Sequence, residues 1–138
     1  MKKLEKSNER VKQFGEVFTP PALVEEMLDH LQFDWSDQTK TILEPAVGNG
    51  NFIEGIYTRL MIGLEGVITE PLDRHKHIFQ HMIYAIDIQA DNIAECIERF
   101  GLTDLKHHFV VADALTYHYR FDEWLDHGES VFIWPKTA

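Results

Sequence analysis

A chain of 138 residues with 44% apolar content can bury one core, and a second full domain is not expected. Thirteen Lys and Arg against 23 Asp and Glu leave a formal net charge of −10, which argues against a free-standing nucleic-acid binder, because phosphate neutralisation needs a basic face. The single cysteine, Cys96, permits no internal disulfide, and no apolar run approaches the roughly 20 residues of a membrane span, so a cytoplasmic protein with no membrane partner is expected.

In chain order, residues 1–13 are charged and aperiodic and read as a flexible arm, with structure starting near Phe14 and one domain running over 14–138. Thr19-Pro20-Pro21 opens a helix over about 20–32, since proline is tolerated in a first turn, and Leu23, Val24, Met27, Leu28 and Leu31 follow at helical spacing. The polar stretch 34–40 is a loop, and Thr41-Ile42-Leu43 is the short apolar run of an inner parallel strand. Asn49 can cap the next helix, which carries Phe52, Ile53, Ile56, Tyr57, Leu60 and Met61 on one face and ends at Gly63 and Gly66. Residues 67–81, with Pro71 and several histidines, read as an insertion with a short helix. A second strand covers 82–87, a helix 88–100 stops at Gly101, and a third strand covers 108–112. A short amphipathic turn is expected over 121–127, and Ser130 to Trp134 reads as a fourth strand cut off by Pro135. Strands alternating with helices predict an α/β fold with a parallel sheet.

The segment Ile42 to Phe52 carries most of the functional information. It is a buried strand that ends in an acid, makes a glycine turn and opens a helix, the layout of a nucleoside-cofactor site. Gly48 and Gly50 allow a sharp turn and close approach to a ligand. Glu44 beside that turn suits a pyrophosphate poorly and a cationic or neutral ligand better, such as a sulfonium amino acid with its ammonium group. Glu44, Asp87 and Asp113 each end a strand, and in an open parallel sheet all three gather on one edge, where ligands bind. Asp87 is placed to accept from ribose hydroxyls, Ile88 to pack on an adenine face, and Asp113 to accept from the adenine amine.

These segments resemble an S-adenosylmethionine-dependent DNA adenine-N6 methyltransferase of the restriction-modification type, over most of residues 13–115 and in its amino-terminal, cofactor-binding part only. Phe14-Gly15-Glu16-Val17-Phe18-Thr19-Pro20 resembles the family's motif before the sheet, in which the Phe-Thr-Pro turn lies against the methionine portion. Glu44-Pro45-Ala46-Val47-Gly48-Asn49-Gly50-Asn51-Phe52 resembles its glycine loop, with Val47 and Asn49 as mild departures, and Asp87-Ile88 and Asp113-Ala114 resemble the motifs that hold ribose and adenine. The resemblance implies a Rossmann-like class I methyltransferase fold, truncated after about four parallel strands. It also implies S-adenosylmethionine as cofactor, with S-adenosylhomocysteine as product.

The family's strand-four tetrapeptide, Asn/Asp-Pro-Pro-Tyr/Phe, holds the flipped target adenine. Here strand four runs into Trp134-Pro135-Lys136-Thr137, and no Asn-Pro-Pro-aromatic sequence occurs. No catalytic residue is therefore assigned, and cofactor binding without stand-alone methyl transfer is expected, with DNA reached only through a partner. The uncovered strand-four edge predicts self-association or pairing with a complementary methyltransferase chain. An alternative is a non-catalytic interaction protein that modulates a restriction-modification or other methyltransferase complex. A nicotinamide dehydrogenase fits less well, since the first turn lacks three glycines. His75, His77 and His81 lack partners at metal-ligand spacing and read as a solvated helix face, so no metal is assigned. Trp35, Trp124 and Trp134 read as core or interface residues, with Trp134 near where the family's base-stacking aromatic falls.

Overall fold

A computed structural model describes residues 18–121. The expected arm at 1–13, the start of the motif before the sheet at 14–17, most of the amphipathic turn at 121–127 and the fourth strand with its pairing edge lie outside the described residues. The elements are α1 Pro21–Asp29, β1 Ile42–Glu44, α2 Asn51–Gly63, α3 Pro71–His77 running into a π-helical turn Ile78–Met82, β2 Ile83–Asp87, α4 Ala90–Arg99 and β3 His108–Val111. The three strands form a parallel sheet in the order β1-β2-β3, with Glu44 opposite Ala85 and Asp87 opposite Val111. No helix among the described residues is long and apolar enough to cross a membrane.

β2 is buried along its whole length, as an inner parallel strand must be when both its faces are covered. The two-residue period splits its side chains cleanly. Ile83 and Ala85, with Ile42 and Phe109 from the flanking strands, join the main core of Ile53, Leu60, Phe79, Ile93 and Phe100 under the helices. Tyr84 and Ile86 face the other way, into a smaller cluster closed by Phe121 and bordered by Leu43, Val110 and Tyr117. Burial pushes the Tyr84 phenol up to about 12.

α1 departs from its expected five-residue apolar face. The helix ends at Asp29, short of Leu31, and only Val24 and Leu28 are buried, while Leu23, Met27 and the following Leu31 are each close to half exposed. The reason is that α1 rests chiefly on α2, and contact with one helix buries little more than a single i, i+4 row. Arg59 of α2 ties the pair by bridging Glu25 at 2.9 Å and Asp29 at 2.7 Å. The polar loop after α1 is built from two side-chain turns. Asp34 accepts from the Ser36 N–H and hydroxyl, and Asp37 does the same for Thr39, which holds both carboxyls below their usual range.

The histidine-rich segment is only partly the solvated face expected of it, since His81 is exposed while His75 and His77 find partners. His75 Nδ1 lies 2.9 Å from the Tyr57 hydroxyl, and its ring meets Phe79 edge-on, so burial lowers its pKa. His77 Nε2 reaches the Gln38 carbonyl at 2.8 Å. Met82, expected to start β2, instead closes the π-helical turn, and the strand begins one residue later.

Candidate functional site

A cavity of about 450 Å³ opens at the carboxyl ends of the three strands, the position where parallel α/β sheets bind ligands. It gathers four separated pieces of sequence: Phe18-Thr19, the turn from Pro45 to Phe52, Asp87-Ile88 and the run 112–115. Among the described residues its lining contains two carboxylates, Asp87 and Asp113, and no Lys, Arg or His. A pocket so charged repels phosphate and favours ligands that bring hydroxyl donors or positive charge.

The turn between β1 and α2 is shaped by two glycines in the left-handed region, Gly48 at φ +57° and Gly50 at φ +91°. They do different jobs. Gly48 lines the cavity, and a Cβ there would sit 2.9 Å from the Phe18 ring, so the bare Cα lets the segment before α1 close against the loop. Gly50 is not in the lining. A Cβ on it would meet Phe100 at 3.0 Å and the Cys96 Sγ at 3.1 Å, so its smallness serves packing of the turn on α4 and not approach to a ligand. Gly50 is also the N-cap of α2, while Asn49 Oδ1 accepts the Asn51 N–H at 3.2 Å, one residue beyond the cap expected for it.

Asp87 sits at the centre of the site, and its carboxylate is already engaged. One oxygen accepts the Gly48 N–H at 2.8 Å; the other accepts the Gln89 N–H at 2.8 Å and the Asn92 side chain at 3.2 Å. A carboxylate offers about four acceptor positions, so about one remains for a ligand hydroxyl in this geometry, against the two ribose contacts expected. Ile88 beside it is 53% exposed at the cavity wall. Asp113 is exposed, with one oxygen holding the Leu115 N–H at 2.9 Å, and Ala114 lines the wall next to it.

Glu44, expected to complete a triad of acids, is not part of the lining. Its carboxylate turns back to accept the Ala46 N–H at 3.0 Å, because β1 ends there and the next free backbone donor lies two residues on. Burial pushes its carboxyl up to about 7; the Ala46 hydrogen bond opposes that shift and the nearby Asp87 charge adds to it. Pro20 likewise stands outside the cavity and caps α1, its carbonyl accepting the Val24 N–H at 3.0 Å. Phe18, Thr19, Pro45, Ala46 and Phe52 all reach the wall.

Three residues that local pattern did not single out hold the site together. Asn51 is 6% exposed, and its Nδ2 donates to the Thr19 carbonyl at 2.8 Å, fastening the segment before α1 to the start of α2. Arg99 of α4 donates to the Asn49 carbonyl at 2.7 Å. The buried Cys96 thiol lies beneath the turn, 3.7 Å from the Gly48 carbonyl. All three act across separations of about 30 to 50 residues, which no spacing rule reaches. Among the described residues no group of three or more His, Cys, Asp or Glu gathers to hold a metal ion.

The described residues form an α/β unit with a three-stranded parallel sheet and a cavity with two carboxylates at its strand ends. No family model matches the chain. Over 77 residues, 53% of its length, the chain resembles an uncharacterized adenine-specific methylase of Mycoplasma pneumoniae, strain M129, with 36% identity. That match spans only 18% of the relative. A crystal structure described as a modification subunit of a type I restriction enzyme, from Vibrio vulnificus YJ016, overlaps 81% of this chain and 22% of its own, with a TM-score of 0.49 and 17% identity.

Proposed function

We propose that these residues form the S-adenosylmethionine-binding part of a DNA adenine-N6 methyltransferase with a Rossmann-like class I sheet. One observation carries the reading: the described parts of the four motif segments meet around one pocket whose described lining holds two carboxylates and no Lys, Arg or His. The name of the curated relative, an adenine-specific methylase, supports the same class. A volume of about 450 Å³ lies within the range usual for small-molecule sites, and the residues fit the cofactor's chemistry. Asp87, at the end of β2, offers its remaining acceptor position to a ribose hydroxyl. Ile88 offers an apolar face to the adenine, and Asp113 an acceptor for its amine. Phe18 and Thr19 close the end of the cavity where the methionine portion would lie, with the Asp87 carboxylate supplying the negative field that an ammonium and a sulfonium require. When bound, the cofactor would supply an activated methyl group. No Asn/Asp-Pro-Pro-aromatic tetrapeptide stands among the 138 residues, so handling of the target base is assigned to residues outside them and no catalytic residue is proposed within.

Calorimetric titration with S-adenosylmethionine, S-adenosylhomocysteine and NAD tests this. Binding of the first two and not of NAD is expected. A folded chain that binds NAD and neither of the others would sink the reading.

A further inference from the structure

Arg99 stands outside the cavity, yet it is connected to three residues of the cavity wall. Its Nη1 donates to the Asn49 carbonyl at 2.7 Å and lies 3.4 Å from Asn51 Oδ1. Asn51 in turn donates to the Thr19 carbonyl. The other terminal nitrogen pairs with Glu54 at 2.6 Å, and the guanidinium lies over the Phe100 ring, 5.3 Å from its centroid. The Arg99 side chain is 14% exposed, so its bonds to the Asn49 carbonyl and Asn51 are largely shielded, while its partner Glu54 is 55% exposed and that pair faces water. A lysine could not reproduce them, because a single ammonium cannot serve partners on two edges while its stem lies flat on a ring.

The charge of Arg99 raises a second question. An uncompensated cation behind a turn that receives a positively charged ligand would weaken that ligand's binding. Glu54, on the first turn of α2, cancels it locally.

We propose that Arg99 is a positioning residue of the pocket: it fixes the glycine turn through Asn49 and the Thr19 wall through Asn51, with Glu54 neutralising it toward a cationic ligand. A carbonyl held from behind cannot rotate into the cavity, and a wall tied through Asn51 is in place before the ligand arrives, so the ordering cost of binding falls. The inference rests on the reading of the pocket as a site for S-adenosylmethionine.

The test uses the 138-residue chain and compares affinities for S-adenosylmethionine and its neutral-sulfur product with melting temperatures. Arg99→Met is expected to weaken both ligands by about tenfold or more, the usual loss for a hydrogen bond to a charged group, and Arg99→Lys to recover part of it. Glu54→Gln keeps the hydrogen bond and removes the charge, so it should weaken the sulfonium ligand about two- to threefold relative to the neutral one. Arg59→Met removes two helix-to-helix ion pairs, to Glu25 and Asp29, none of whose members lines the cavity, and should leave both affinities unchanged whatever it does to melting. The clamp alone is overturned if the wild type binds while Arg99→Met binds both ligands equally well, or if Arg59→Met weakens binding as much. A folded wild type that binds neither ligand overturns the reading of the pocket, and the clamp with it.

Discussion

The wall of the cavity built by the β1–α2 turn and the wall built after β3 both consist of a short turn following a parallel strand, but they are held in opposite ways. The first is fastened from behind at nearly every residue: the Val47 N–H to the Ile86 carbonyl, Gly48 to Asp87, Asn49 to Arg99, Gly50 against Phe100, and Asn51 to Thr19. The second is tied to β2 at its first residue, where the Ala112 N–H donates to the Asp87 carbonyl at 3.0 Å, and beyond that closes on itself. Asp113 holds the Leu115, Thr116 and Tyr117 amides, the Tyr119 hydroxyl reaches the Ala114 carbonyl, and Leu115 is 94% exposed. A pocket with one preorganised wall and one local, exposed wall can fix the part of a ligand that must be placed accurately while letting the other side settle around it.

The largest expected effect comes from Gly50→Ala. Its left-handed backbone and the contacts at 3.0 Å to Phe100 and 3.1 Å to Cys96 together predict a loss of about 2–4 kcal/mol in urea denaturation. A loss below about 0.5 kcal/mol would show that the first wall yields and would erase the contrast. Next in size is a matched pair. Asp87→Asn should cost about 1–3 kcal/mol, because a charged acceptor of two backbone N–H groups is lost, whereas Asp113→Asn at an exposed turn should stay within about 0.5 kcal/mol. Equal losses in the two variants would break the comparison.

Glu44→Gln sharpens it further through pH. The folded-state carboxyl is raised from 4.5 to about 7, so the folded chain holds its proton more tightly than the unfolded one. Stability is therefore unpenalised below about pH 4.5, declines as pH rises from there through about 7, and levels off above it. The variant should match the wild type near pH 4 and exceed it at pH 8 by on the order of 1 kcal/mol, a figure discounted for the partial exposure of the side chain. A difference that does not change with pH would show that Glu44 is not held as described. The smallest effect is expected from Leu115→Ser, within about 0.5 kcal/mol of wild-type stability, since the side chain is almost wholly in water. A larger loss would mean that the second wall is also anchored.

Much of this architecture was legible in the sequence, because helix and strand patterns repeat over a few residues and the chain must obey them locally. The strand ends at Glu44, Asp87 and Asp113, the glycine turn, the capping prolines and the order of elements all follow from short-range pattern, and the described elements match them within about two to three residues. What the sequence could not decide was direction and partnership. Nothing local says that Glu44 folds back on Ala46, that Gly50 faces α4 and not the cavity, or that Asp87 is mostly occupied by the Gly48, Gln89 and Asn92 groups. Nor does helical spacing reveal that only Val24 and Leu28 of α1 find cover, or that Arg99 reaches back to the glycine turn. Those choices belong to tertiary structure, because a hydrogen bond or a packed ring is fixed by which atoms the chain brings within about 3–4 Å, and most of the partners here lie tens of residues apart.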